Sequence, residues 1–148
     1  MILHHDNHFI YNCRASFKLP NDMAIDYSHE VEGIDDFRLV SPDESFKLLL
    51  GFLTVEKTAK TFTEEIYEHF DCITAIEPVH TIETPCGLSG YATSYDLGDE
   101  ICEEFAIDLP GATHALFYAR FSRLKDNDYD EITYEEAKEE ILASIKEL

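Results

Sequence analysis

The stretch from Gly87 to Arg123 most constrains what this chain can fold into. It reads as three consecutive antiparallel strands, Gly90 to Asp96, Glu100 to Leu109 and His114 to Arg123, broken at Gly98-Asp99 and at Gly111-Ala112. Both breaks are two residues long and begin with Gly, the pattern of type II′ hairpins, whose first central position needs a positive φ. Two-residue loops fix a register. That register sets Ala92 opposite Phe105, Phe105 opposite Tyr118, Ile107 opposite Leu116 and Glu103 opposite Arg120. The other face then carries Tyr91, Tyr95, Cys102, Ala106, Phe117, Ala119 and Phe121. Both faces are largely apolar, so each needs a cover.

Other segments supply that cover. Arg14 to Leu19 alternates, with Ala15, Phe17 and Leu19 on one side, and ends at a Pro20-Asn21-Asp22 turn. Met23 to Tyr27 returns as a second strand, and Ser28 to Asp36 is an acidic loop. Phe37 to Ser41 and Phe46 to Val55 flank the turn Pro42-Asp43-Glu44-Ser45. The second of these strands has no polar face and belongs in the sheet interior. Ala59, Phe62, Ile66 and Phe70 recur at helical spacing, which predicts a helix over Thr58 to Phe70 with a capping box at Thr61 and Glu64. Residues 72–83 contain Pro78, which has no N–H to donate, so a strand there is an edge or is bulged. A second helix over Thr133 to Glu147 follows from the Thr133/Glu136 capping box and from Ala137, Ile141 and Ile145. The expected fold is one α+β domain at residues 12–148, an antiparallel sheet of six to seven strands flanked by two helices. These sit on opposite faces, or else on one face with the other buried in a homodimer. Residues 1–11 are read as a loose arm or a first short strand.

Composition narrows the function classes. There are 31 acidic and 11 basic residues among 148, a net charge of −20. A field of that sign repels phosphate backbones and favours a basic partner, so neither nucleic acid nor an anionic membrane is expected as a ligand. Cys13, Cys72, Cys86 and Cys102 have no C-x-x-C spacing and read as reduced thiols. The N-terminus has no basic segment followed by an apolar one, and no window of about 18 apolar residues occurs, which predicts a cytoplasmic protein without membrane insertion.

Sequences that imitate active sites fail on inspection. Gly87-Leu88-Ser89-Gly90-Tyr91 has Tyr where a nucleophile elbow needs Gly. Asp126, Asp128 and Asp130 imitate a calcium loop, but Glu131 stands at its Gly position and Ala137 at its bidentate Glu position. His4, His5, Asp6 and His8 lack a fixing shell, and no metal or cofactor is expected. Cys86 with His80 or His114 is the candidate thiolate pair of a cysteine-dependent enzyme. Tyr91, Tyr95 and Phe117 are the candidate lining of a groove, for a peptide or for a small apolar ligand.

Strands first, then a helix, a bulged crossover, a long meander and a closing helix form an order that resembles the PsbP/Mog-like superfamily. The residues that carry the resemblance are Phe17-x-Leu19-Pro20, Gly87-x-x-Gly90 before a Tyr-bearing strand, and Ile141-Leu142-Ala143-Ser144-Ile145. It implies an α/β/α sandwich serving as a non-catalytic binding module, as in photosystem extrinsic subunits, Ran-GTPase-binding proteins, bacterial lipoproteins and effector chaperones. The chain lacks the lipidated Cys of many bacterial members, and no individual binding residue carries over. The expectation is therefore a non-enzymatic domain, similar to uncharacterised bacterial members, that binds a protein or peptide.

Overall fold

The computed structural model describes residues 4–5, 9–11, 15–18, 20, 23–25, 36–53, 57–111 and 114–148. Their strands collect into two antiparallel sheets. Strands β1 (His4–His5), β2 (Phe9–Tyr11) and β3 (Ala15–Lys18) open the chain, followed by β4 (Ala24–Ile25), β5 (Asp36–Val40) and β6 (Lys47–Leu53). Helix α1 (Ala59–His69) comes next, then the run β7 (Thr74–Glu83), β8 (Ser89–Asp96), β9 (Glu100–Leu109) and β10 (Ala115–Leu124), and finally α2 (Glu131–Ser144) and β11 (Lys146–Glu147). The large sheet has the order β4-β5-β6-β10-β9-β8-β7, and the small one β1-β2-β3-β11.

The meander forms where the sequence predicts it. Gly98 has φ +103°, Leu97 N–H donates to the Glu100 carbonyl at 2.9 Å, and Ala92 pairs with Phe105. The second hairpin corrects the expected register. Leu109 pairs with Ala115, Ile107 with Phe117, Phe105 with Ala119 and Glu104 with Arg120, one residue further along β10 than a Gly111-Ala112 loop gives. Pro110 explains the slip. A two-residue loop would make residue 110 donate an N–H to close the hairpin, and proline has none. Because side chains alternate, the slip turns every residue of β10 to the opposite face. Phe105 and Phe121 thus share a face, with ring centroids 6.2 Å apart, where the expected register separates them.

On that face Leu39, Leu48, Leu50, Phe52, Phe105, Ile107, Phe117, Ala119 and Phe121 form the main core. Its cover is double. Helix α2 contributes Tyr134, Ala137 and Ile141, Ile145 follows just past its end, and the small sheet contributes Ile10, Ala15 and Phe17, whose ring lies 4.9 Å from Phe117. Residues 9–11 form a short strand paired with β3, and Ile10 is buried in the core. The opposite face is covered by α1, which packs on β7, β8 and β9 and stacks Phe62 on Tyr118. The helices lie on opposite faces.

Helix ends differ from the expected capping boxes in an instructive way. Thr58 caps α1 by accepting from Thr61 N–H at 3.2 Å, a role the capping-box reading gives to Thr61 itself. Asp130 caps α2, accepting from Thr133 N–H at 3.0 Å and from its hydroxyl at 2.7 Å, so the helix begins two residues before Thr133. In both cases the expected cap residue instead donates to the real one three positions earlier. Helix α2 stops at Ser144, and Lys146 and Glu147 pair with Ser16 and Ala15 instead of extending it. Strand β6 is interior and β7 is a bulged edge, as read from the sequence. Residues 26–35, which hold most of the acidic loop, Cys13, Leu19, Asp6, His8 and the side chains of His4 and His5 lie outside the described residues.

Gly90 sits where no side chain fits. A Cβ there would stand 2.1 Å from the Ala106 carbonyl oxygen and 2.7 Å from Ile107 Cδ1. Gly90→Ala is expected to destabilise the fold by about 3 kcal/mol through overpacking between β8 and β9, readable as a lowered urea midpoint at unchanged slope.

Candidate functional site

The corrected register decides what the α1 face presents. Across β5, β6, β10 and β9 one row reads Arg38, Leu49, Arg120, Glu104, and the next reads Val40, Lys47, Ser122, Cys102. Helix α1 lies over the β7–β9 side of this face, and the β5–β6 wing remains beside it. Between them opens a pocket of about 310 Å³, with Leu49, Arg120 and Cys102 in its floor, Phe70 and Leu97 on one wall and Arg38 and Lys47 on the other. It adjoins, at Lys47, Glu100 and Ser122, a second lobe of about 590 Å³, bounded by the Glu44-Ser45 turn, Leu124 and Asp128. The two lobes form one open groove at an end of the large sheet.

The inner lobe rests on a buried ionic network. Glu104 is fully buried, and its carboxylate accepts from Tyr95 O–H at 2.9 Å and from Arg120 Nε at 3.1 Å and Nη2 at 3.3 Å. These bonds use Nε and Nη2 and leave Arg120 Nη1 without a hydrogen-bond partner among the described residues, on a side chain that lines the lobe and is 31% exposed. Burial works to lower the Arg120 pKa, but Glu104 and then Tyr95 outweigh it and hold the guanidinium charged. Burial, then Glu104, pushes the Tyr95 phenol above its ordinary value, and burial, then Glu100, pushes the Cys102 thiol up to about 11. These groups position charge and do not exchange protons near neutrality.

Glu44, on the outer rim, is the one described non-glycine residue with positive φ, at +59°. Its turn is held by the Glu44 N–H to Ser41 carbonyl bond of 2.9 Å and by Asp43 Oδ1, which accepts from Ser45 N–H at 3.0 Å. The predicted Pro42-Asp43-Glu44-Ser45 turn is thus present, with backbone strain at the groove's edge that nothing in the sequence announces.

The predicted groove residues do not come together. Tyr95 is fully buried at the base of the inner lobe, and Tyr91 packs half-buried beside Phe62 and Tyr118. Phe117 is on the opposite face, within the main core against Phe17 and Phe52, because the register slip turned it over. Cys86 is exposed in the β7–β8 turn, where its sulfur lies 3.9 Å from the Ala143 carbonyl. The His80 ring bonds the Pro78 carbonyl and the His114 ring bonds Asp108, so neither partners the thiol. Asp126 and Asp128 are exposed, and Asp130 is spent on the helix cap. Sequence reasoning missed Arg38, Lys47 and the Glu104–Arg120 pair. No spacing in sequence links Arg38 and Lys47, which meet only through the pairing of β5, β6 and β10, and the opposition of Glu104 and Arg120 appears only in the corrected register.

Two outcomes follow. Glu104→Gln should destabilise the fold by about 3 kcal/mol in urea unfolding, the low end for breaking a buried pair because Arg120 retains some solvent, whereas Tyr95→Phe should cost about 1 kcal/mol. Alkaline titration gives the second. Tyr95, Cys102 and also Tyr134, which burial and then Glu103 shift upward, all hold their protons more tightly folded than unfolded. Their contribution to stability is fully present below the ordinary thiol value of about 9 and is lost as pH rises through the folded values. Phenolate absorbance from Tyr95 and Tyr134 should therefore appear together with loss of near-ultraviolet dichroism. Ionisation of either ring in the folded protein would contradict this.

No protein-family model matches the chain, and no curated protein matches it. Among solved structures, the chain is similar to a crystal structure from Bacteroides thetaiotaomicron VPI-5482 at 1.50 Å resolution, with a TM-score of 0.46 and 14% identity. The similarity covers 90% of this chain and 45% of that one, so the chain spans less than half the length of that protein.

Proposed function

We propose that this chain is a non-catalytic module that binds a protein or peptide of basic overall character in the groove at the end of the large sheet. The observation that carries the reading is the groove's form: two adjacent, partly open lobes that share Lys47, Glu100 and Ser122. An extended segment fits such a trough, whereas a small-molecule site encloses most of its ligand. The net charge of −20 supplies long-range attraction for a basic partner. A helix on each face of an antiparallel sheet supports the PsbP/Mog-like sandwich, to which the small sheet β1-β2-β3-β11 is an addition. Among the described residues no helix is long and apolar enough to cross a membrane. Free thiols at Cys72, Cys86 and Cys102 support a reducing, cytoplasmic setting.

The test uses the partner that wild-type protein captures from its native host, purified and titrated by calorimetry. Binding should weaken as salt rises from about 50 to 300 mM, through screening over a Debye length of about 8 Å at physiological ionic strength. Leu124→Arg places a bulky cation in the outer lobe at an exposed position and should weaken binding about tenfold or more. Unchanged affinity in that variant, or affinity indifferent to salt, would remove the groove from consideration.

A further inference from the structure

We propose that the inner lobe is a carboxylate-binding subsite: Arg38, Lys47 and the Nη1 edge of Arg120 receive the carboxylate, and Leu49, Phe70 and Leu97 receive the apolar stem that carries it. This goes beyond the groove reading and does not depend on the partner being a protein. Charge pairing is the first argument. With 31 acidic residues to choose from, Lys18, Lys57, Lys60, Arg120, Lys125 and Lys138 each hold a carboxylate. Four described cations hold none: Arg123, which lies over the Tyr129 ring, Lys146 on the small sheet, and Arg38 and Lys47, which both line this lobe. Arg38 and Lys47 differ from the other two in standing on adjacent strands in one pocket, where a single outside anion can meet both.

Geometry is the second argument. Arg38 and Arg120 flank Leu49 in one cross-strand row, about 10 Å apart as two inter-strand spacings, and Lys47 stands two residues from Leu49 on the same face. Three cations thus surround one leucine. Glu104 offsets the charge of Arg120 and Glu100 in the lobe wall offsets part of the rest, and an incoming anion relieves the remaining repulsion. Arg120 is already oriented by its two bonds to buried Glu104, so its free edge is presented with little further loss of freedom.

The same surroundings select a carboxylate over a phosphate. Glu100 lies in the lobe wall, and the wall formed by Phe70 is the C-terminal end of α1, which carries negative partial charge. A dianion meets both, together with the protein's overall field, at twice the cost. No helix N-terminus of the described residues lines the lobe, so the backbone donors that usually hold phosphate are missing. A volume of about 310 Å³ with a leucine floor suits an aromatic or branched aliphatic stem.

The experiment is a ¹H–¹⁵N titration of the full chain with 4-phenylbutyrate, with an acetylated Gly-Leu-Phe peptide bearing a free C-terminus, and with the same peptide amidated. The acids should shift the Leu49, Cys102 and Ser122 amides, and the amidated peptide should not. Arg38→Gln and Lys47→Gln, both at exposed positions, should each weaken the acids about tenfold, the order of a charge-assisted hydrogen bond. Lys146→Gln, on the small sheet, should leave binding unchanged. Tighter binding of the peptide acid than of phenylbutyrate assigns the site to chain termini, and equal binding assigns it to free organic acids; both support the subsite. Equal shifts from acid and amide, an Arg38→Gln/Lys47→Gln double variant that binds acids like wild type, or inorganic phosphate binding there where the acids fail would each overturn it.

Discussion

The pairing of β9 with β10 is the constraint on which the rest of the molecule depends. Leu109 opposite Ala115 sends Phe105, Ile107, Phe117, Ala119 and Phe121 to one face and leaves Glu104 directly across from Arg120 on the other. The first set is a core wide enough to take α2 and the small sheet together. The second is a charged row running under the edge of α1. Moved by one residue, β10 would bury Arg120 among phenylalanines and strip Glu104 of its partner, a loss of several kcal/mol on charge burial alone. The register is therefore held by burial on one face and by charge on the other.

Glu104 makes the second face specific without making it stable in the ordinary sense. A buried ion pair recovers little beyond its own desolvation, and an apolar pair of the same volume would serve stability as well. What the pair does is fix the Arg120 guanidinium with two bonds and lock Tyr95 against it. The pocket floor is then rigid and charged at once. Thr93 extends the rigid region on the other side, where its hydroxyl donates to the Glu77 carbonyl at 2.8 Å and contacts the Tyr67 hydroxyl from α1. Helix and sheet are thereby tied by polar contacts on a face whose apolar contacts, Ala59 on Ala106 and Leu116 and Ile66 on Tyr95, are few.

Much of the fold was legible because local chemistry spoke without ambiguity. Gly98 announces its turn, Pro78 announces an edge with bulges, and the unbroken apolar run of β6 announces an interior strand. The second hairpin was misread because Gly111-Ala112 looks like a two-residue loop until Pro110 is counted as a missing donor. The strict alternation of Phe105, Ile107 and Leu109 against Phe117, Ala119 and Phe121 carried the right answer, since only an even register puts all six together. The site suffered more than the fold. Phe117 entered the predicted groove on the wrong face, and Arg38 and Lys47, on separate strands, have no spacing in sequence that links them. The small sheet was hidden for another reason: β11 is two residues long, and its pairing with β3 is a long-range contact no local pattern records.

Sheet edges are the other place where an extended segment can pair with a fold of this kind. An added strand needs a long run of free backbone donors and acceptors. Strand β4 offers two residues. Strand β7 is ten residues long, but its register shifts between Ala75 and Glu77 and again between Glu77 and His80, and Pro78 removes a donor in the same stretch. Ile76 is 57% exposed there, an apolar side chain on an edge that is bent out of register for a partner strand. Among the described residues, then, neither edge of the large sheet offers a long unbroken run for strand addition. The groove is where the exposed leucine of β10, the strained Glu44 turn and the unpaired cations of β5 and β6 lie along one path.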